Sequence, residues 1–137
     1  MTRRLLLLLL VSTVPLAGAD PARDSASVIT SLAASLTAGN AQEFIAPFDP
    51  AMPGLDRLRT GVSALVAQGE TQSFIELTRN EGDEHTRTLE LTWELRILRT
   101  GDATISSRRQ VSVTCKLELR GKRWRIVAFE PIDFLIP

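Results

Sequence analysis

The side chains able to do chemistry in this sequence are few, and the runs that carry them decide what each can reach. Arg109 precedes an alternating stretch in which Val111, Val113, Cys115, Leu117 and Leu119 oppose Gln110, Ser112, Thr114, Lys116 and Glu118, and it has the parity of the apolar set. A guanidinium on an apolar strand face must be paired, solvated at an opening, or stacked on a ring, and Trp93 in the preceding run offers that ring. Arg109 and Trp93 therefore read as ligand-binding residues for an anion or carboxylate. The plainer alternative is a strand that twists out to solvent at its polar start, residues 106–109. Glu130 continues the parity of Trp124, Ile126 and Ala128, which turns it inward as a ligand contact or as a catalytic acid or base. Asp133, just beyond Pro131, is the second catalytic candidate. For both carboxylates a cap or an ion pair with a neighbouring arginine is the plainer reading.

The remaining inventory mostly excludes. One Cys makes no internal disulfide and one His makes no multi-histidine cage, so no metal site and no cofactor is expected. Cys115 sits among apolar residues and reads as packing, and His85, beside Glu81, Asp83 and Glu84, as an exposed turn residue. With 16 basic against 16 acidic residues there is no positive field to collect nucleic acid. Arg outnumbers Lys 14 to 2, which suits planar anions but follows equally from genomic base composition, the explanation favoured here. The 137 residues make one domain's worth of chain.

Residues 1–19 have the three parts of a secretory signal peptide: Arg3 and Arg4, an apolar run from Leu5 to Leu16, and small residues at Ala17 and Ala19. The run is shorter than the roughly 20 residues of a spanning helix. The arginine pair also allows a twin-arginine signal, but the leucines behind it favour the general route. The expected mature chain, residues 20–137, is exported to the periplasm or beyond, has no membrane anchor, and is slightly acidic because Arg3 and Arg4 leave with the leader.

Three helices and four strands must position these groups. From Asp24, residues Val28, Ile29, Leu32 and Leu36 recur at helical spacing up to Gly39. Asn40 and Glu43 form a capping box ahead of Phe44 and Phe48. Breaks at Pro50, Pro53 and Gly54 precede a third helix with Leu55, Leu58, Val62 and Leu65 on one face, despite Gly61. Then the period becomes two, in a short strand with Ser73, Ile75 and Leu77, a longer one with Leu89, Leu91, Trp93, Leu95 and Ile97, the Val111–Leu119 run, and Trp124–Ala128. Short turns make this an antiparallel meander with the helices on one face, an α+β fold. A three-residue turn at Thr100–Asp102 sets Trp93 opposite Arg109 and Glu94 opposite Arg108; a two-residue turn at Gly121 and Lys122 sets Glu118 opposite Arg125 as a surface ion pair.

Helices ahead of a long curved sheet, the segment Phe48–Val66, the Trp93 strand and the closing GKRWRIVAFEPIDF (Gly121–Phe134) together resemble the nuclear transport factor 2-like superfamily, with its SnoaL-like cyclases and ketosteroid isomerase. The resemblance implies a cone with a pocket at its open end. It also implies a Tyr in the isomerase oxyanion hole, and this chain has none; a dehydratase would use His and Asp, and the lone His85 lies at a turn. No family catalytic residue carries over. The expected function is an exported non-catalytic binding module, taking a small apolar or weakly anionic ligand in the cone or a protein partner. The alternative is a SnoaL- or isomerase-like pocket enzyme with Glu130 or Asp133 as base and Arg109 as oxygen-polarising group. A third reading, a purely structural interaction domain, expects a cone filled by its own side chains. The enzyme requires its groups to converge within about 5 Å around a cavity of roughly 300 Å³ or more. A homodimer is expected through the outer sheet face, where Thr88, Glu90, Thr92 and Glu94 beside Gln110, Ser112 and Thr114 make any interface wet and modest. Expressed in a bacterium with an intact secretory pathway, the exported chain should begin at Asp20 on N-terminal sequencing; recovery only of cytoplasmic chain retaining Met1 counts against export.

Overall fold

The computed structural model describes residues 20–99, 101 and 104–137; the leader and its cleavage site lie outside them, as do Thr100 and Asp102 of the expected hairpin turn. Helix α1, Pro21–Thr37, starts three residues earlier than the apolar spacing suggests. Asp20 caps it, accepting from the Arg23 N–H at 3.1 Å, and Pro21 occupies the first position, where an N–H has no helical acceptor. Its inner face buries Ile29, Leu32 and Leu36, and the buried Ser25 and Ser35 hydroxyls donate one turn back, to Pro21 O at 2.6 Å and Ser31 O at 2.9 Å.

Helix α2, Ala41–Ile45, is a short turn capped by Asn40, which accepts from the Glu43 N–H at 3.1 Å; the reciprocal half of the capping box does not appear among the described residues. Phe48 lies beyond α2, held by a parallel bridge to Ile126, with Asp49 N–H donating to Ile126 O at 2.8 Å and Ile126 N–H to Pro47 O at 3.0 Å. Helix α3, Leu55–Gln68, buries Leu55, Leu58, Val62 and Leu65, as its spacing predicts.

The four strands, β1 (Glu70–Gly82), β2 (Thr86–Leu98), β3 (Ile105–Arg120) and β4 (Arg123–Glu130), form the expected antiparallel meander in sequence order. On the inner face Leu89, Leu91, Trp93, Leu95 and Ile97 alternate with wetter neighbours, and Val113, Cys115 and Leu117 do the same on β3. Each such aliphatic burial contributes on the order of 1.5 to 3 kcal/mol. Helix α1 is tied over β1 by Asn80, which donates to Ala22 O at 2.8 Å and accepts from Arg87 at 2.7 and 2.9 Å.

The β2–β3 register differs from the expected one by two residues. Trp93 faces Val111, and Arg109 faces Leu95. Arg99 N–H donates to Thr104 O at 2.8 Å, where the expected register sets Arg99 opposite residue 103, and this one-residue step by itself inverts the faces. A bulge at Ser106, opposite the Ile97–Leu98 step, inverts them back, and the odd residues of both strands still point inward. Glu94 accordingly faces Gln110, yet its carboxylate reaches Arg108 diagonally at 3.3 Å and Arg96 at 3.2 Å.

The β3–β4 register is the expected one, with Glu118 opposite Arg125, but the ion pair between them does not form: Glu118 meets Arg120 at 3.0 Å and Arg125 donates to Ala46 O at 2.7 Å. Farther along, Leu117 pairs with Ile126 and Lys116 with Ala128, leaving Val127 as an extra residue. This bulge switches the parity of β4, so that Phe129 turns inward beside Cys115 and Glu130 turns outward beside Thr114.

The segment before α3 is pinned by Asp49, a mostly buried carboxylate that accepts from the Ala51 N–H at 2.8 Å and pairs with Arg120. The Ala51 N–H holds the carboxyl below its ordinary range, opposed by burial and reinforced by the Arg120 charge. A depressed folded-state pKa contributes stability above the unfolded value of about 3.9 and loses it as pH falls through the folded value. Asp49→Asn should therefore lower the urea midpoint near neutral pH, and the gap to the parent chain should narrow progressively as pH falls below the ordinary aspartate value of about 3.9.

Candidate functional site

On the concave face of the sheet, Arg109 points inward as its parity predicts and is half-buried, but its ligand is the chain itself. One guanidinium nitrogen, Nη1, donates to Phe134 O and to Ile136 O, both at 2.8 Å. These carbonyls belong to the 3₁₀ turn Asp133–Leu135 and the residue after it. Trp93 does not stack on Arg109. It is fully buried, its ring edge-on to Phe134 at 5.5 Å and to Phe129 at 6.3 Å. The cation–π contact in the described structure lies on the other side of the sheet, with Arg96 4.6 Å above the ring of Phe74.

Glu130, expected inside, is exposed on the outer face because of the Val127 bulge. Asp133 is exposed too and pairs with Arg57 of α3 at 2.7 Å, outside the cone. The structure thus brings neither carboxylate to Arg109, and the constellation that a pocket base would need is not assembled. Cys115 packs as expected, its thiol pushed up to about 12 by burial. His85 is exposed at the β1–β2 turn, where its backbone N–H donates to Asp83 at 2.8 Å.

A site missed in the sequence opens at the other end of the sheet. A groove of about 1200 Å³ runs between the first turns of α1 and the β3–β4 hairpin. Val28, Pro47, Leu119 and Trp124 give it apolar walls. Lys122, Arg123 and Arg125 line its hairpin side, and Asp24, Glu84 and His85 also reach it. The available signal was the cluster Arg120, Lys122, Arg123 and Arg125 around Trp124, which alternation alone assigns to a strand and its solvated face. Among the described residues no group of three or more His, Cys, Asp or Glu gathers to hold a metal ion, and no helix is long and apolar enough to cross a membrane.

Helices packed on a curved four-stranded antiparallel sheet define an α+β cone, and solved structures share it. A nuclear transport factor 2-like protein of unknown function from Shewanella oneidensis superposes with a TM-score of 0.65 at 11% identity, covering 80% of this chain and 96% of that one. A conserved protein from Planctomyces limnophilus gives 0.69 at 5% identity, covering 78% and 91%. A structure described as a putative scytalone dehydratase from Novosphingobium aromaticivorans gives 0.67 at 10% identity, covering 78% and 79%. No family model and no curated protein matches the sequence. The chain has the nuclear transport factor 2-like fold, and at these identities the likeness is one of fold alone.

The fit of Trp93 between Phe129 and Phe134 makes it a packing residue of the cone. Trp93→Ala should cost about 3 to 5 kcal/mol of unfolding free energy, read from urea titrations.

Proposed function

We propose that this chain is an exported, non-catalytic binding module of the nuclear transport factor 2-like fold, and that it takes a small apolar molecule carrying an anionic group in the groove beside α1. The observation that carries the reading is the pairing of apolar walls with hairpin cations in a groove large enough for such a ligand. Two further features support it: Phe129, Phe134 and Leu135 fill the cone beneath Trp93, and Arg109 is committed to backbone carbonyls, with neither Glu130 nor Asp133 beside it. Residues 20–137 are the functional unit under this proposal, with the groove formed at the start of the mature chain. Anionic head groups would meet Lys122 and Arg123, both exposed, while the tail covers Trp124 and Val28.

Trp124 is one of two tryptophans, so a Trp93→Phe chain reports on the groove by its own fluorescence. Dodecyl phosphate should quench that emission saturably, and reversing both Lys122 and Arg123 to Glu should weaken binding about tenfold or more, equivalent to roughly 1.4 kcal/mol. A neutral dodecyl glycoside should bind less tightly than the phosphate. Absence of a saturable change with dodecyl phosphate overturns the proposal.

A further inference from the structure

The groove beside α1 carries more charge than an anionic ligand requires, and the inference drawn from that excess rests on the reading of the groove as a ligand site. Lys122 and Arg123 line its hairpin side, while Asp24 of α1 and Glu84 of the β1–β2 turn line it as well. Asp24 is half-buried and the other three are exposed. Among the described residues no ion pair includes any of these four side chains, so the two signs face one space without meeting across it. Arg125, the third cation of the hairpin side, is already donating to Ala46 O at 2.7 Å.

The β1–β2 turn brings both signs to one mouth. Asn80, on its β1 side, donates to Ala22 O at 2.8 Å, and on its β2 side His85 O accepts from Leu119 N–H at 2.8 Å, so Glu84 sits between the first turn of α1 and the β3–β4 hairpin. Behind this charged mouth both walls become apolar. On α1, Val28 lies one turn beyond Asp24 on the same face. On the hairpin, Leu119 and Trp124 pair directly across the strands, one step farther from the tip than Arg120 and Arg123. Pro47, whose carbonyl accepts from Ile126 N–H at 3.0 Å, lines the groove farther still from the tip. An occupant therefore meets charges of both signs at one end and hydrocarbon along the rest.

We propose that the ligand of this groove is a zwitterionic amphiphile: a phosphate on Lys122 and Arg123, an ammonium group a few bonds away on Asp24 and Glu84, and a single hydrocarbon chain over Val28 and Trp124. A bare anion seated on the two cations stands in the field of the two carboxylates as well, and that repulsion offsets part of the attraction. A zwitterionic head meets all four side chains with the opposite sign. The carboxylates thus act as specificity residues, selecting against simple anions while the cations select against simple amines.

Isothermal titration of the protein with dodecylphosphocholine, kept below its micelle concentration, should show one site, bound at least tenfold more tightly than dodecyl phosphate. Asp24→Asn combined with Glu84→Gln should erase that preference, weakening dodecylphosphocholine at least tenfold while leaving dodecyl phosphate as tight or tighter. Both positions lie outside the core. Should the pair impair folding, Glu84→Gln at the exposed turn decides alone, with a loss of at least threefold. Glycerophosphocholine, which has the head group without the chain, should bind at least tenfold more weakly than dodecylphosphocholine. Pelleting with phosphatidylcholine vesicles separates the two sources of such a head group: protein left in the supernatant assigns a free single-chain molecule, and co-pelleting that the double substitution abolishes assigns a bilayer lipid. Dodecyl phosphate bound as tightly as dodecylphosphocholine, or a preference that survives the double substitution, overturns the proposal and leaves the anion reading at Lys122 and Arg123 standing. Failure of both ligands to bind overturns the two readings together.

Discussion

Because Val127 is an unpaired extra residue in β4, Phe129 turns inward beside Cys115, and much of the interior is arranged around its ring. From that position it meets Phe48 edge-on at 5.7 Å, Trp93 at 6.3 Å and Phe134 at 6.3 Å. Phe44 extends the column by stacking on Phe48 at 5.7 Å. One ring thereby joins the segment after α2, two strands and the 3₁₀ turn, elements distant in sequence. Such aromatic pairs contribute about 0.5 to 1.5 kcal/mol each beyond the area they bury, and Phe129 takes part in three. The same bulge ejects Glu130, so the step that completes the core also removes the acid from the interior.

The filled cone shifts the open space elsewhere. In a sheet that curves around helices, the concave side must be occupied by side chains or by a ligand, since empty apolar volume forfeits packing contacts. Here Phe134 and Leu135 occupy it, and Arg109 holds them there by satisfying carbonyls that a 3₁₀ turn leaves bare. At the other end α1 and the β3–β4 hairpin diverge, and the groove between them is left with apolar walls and hairpin cations. The fold is common to proteins of several descriptions, so the fold by itself does not choose among functions.

Much of the architecture was legible in the sequence. The change of period from 3.6 to 2, the glycine and proline breaks and the short turns are local signals, and they sufficed for three helices, four strands, meander order and the side of the sheet on which the helices lie. Face assignment on β2 and β3 survived a register two residues from the expected one because a longer hairpin and the bulge at Ser106 each invert the faces, and together they cancel. On β4 a single bulge had nothing to cancel it, and the assignment of Glu130 failed.

The candidate site was less legible, for a related reason. That Arg109 points inward is a property of alternation, and sequence alone established it. Which atoms its guanidinium meets depends on a segment 25 residues later folding back over the sheet, as the distance in chain to Phe134 shows. The groove likewise joins α1 to a hairpin near the other end of the chain. Local residue order determined the elements, their sequence in the sheet and most of the buried set, because periodicity acts within a few residues. Tertiary structure alone decided the bulges, the closure of the cone and the partners of its charges, because each balances hydrogen bonds and packing among segments that the sequence keeps apart.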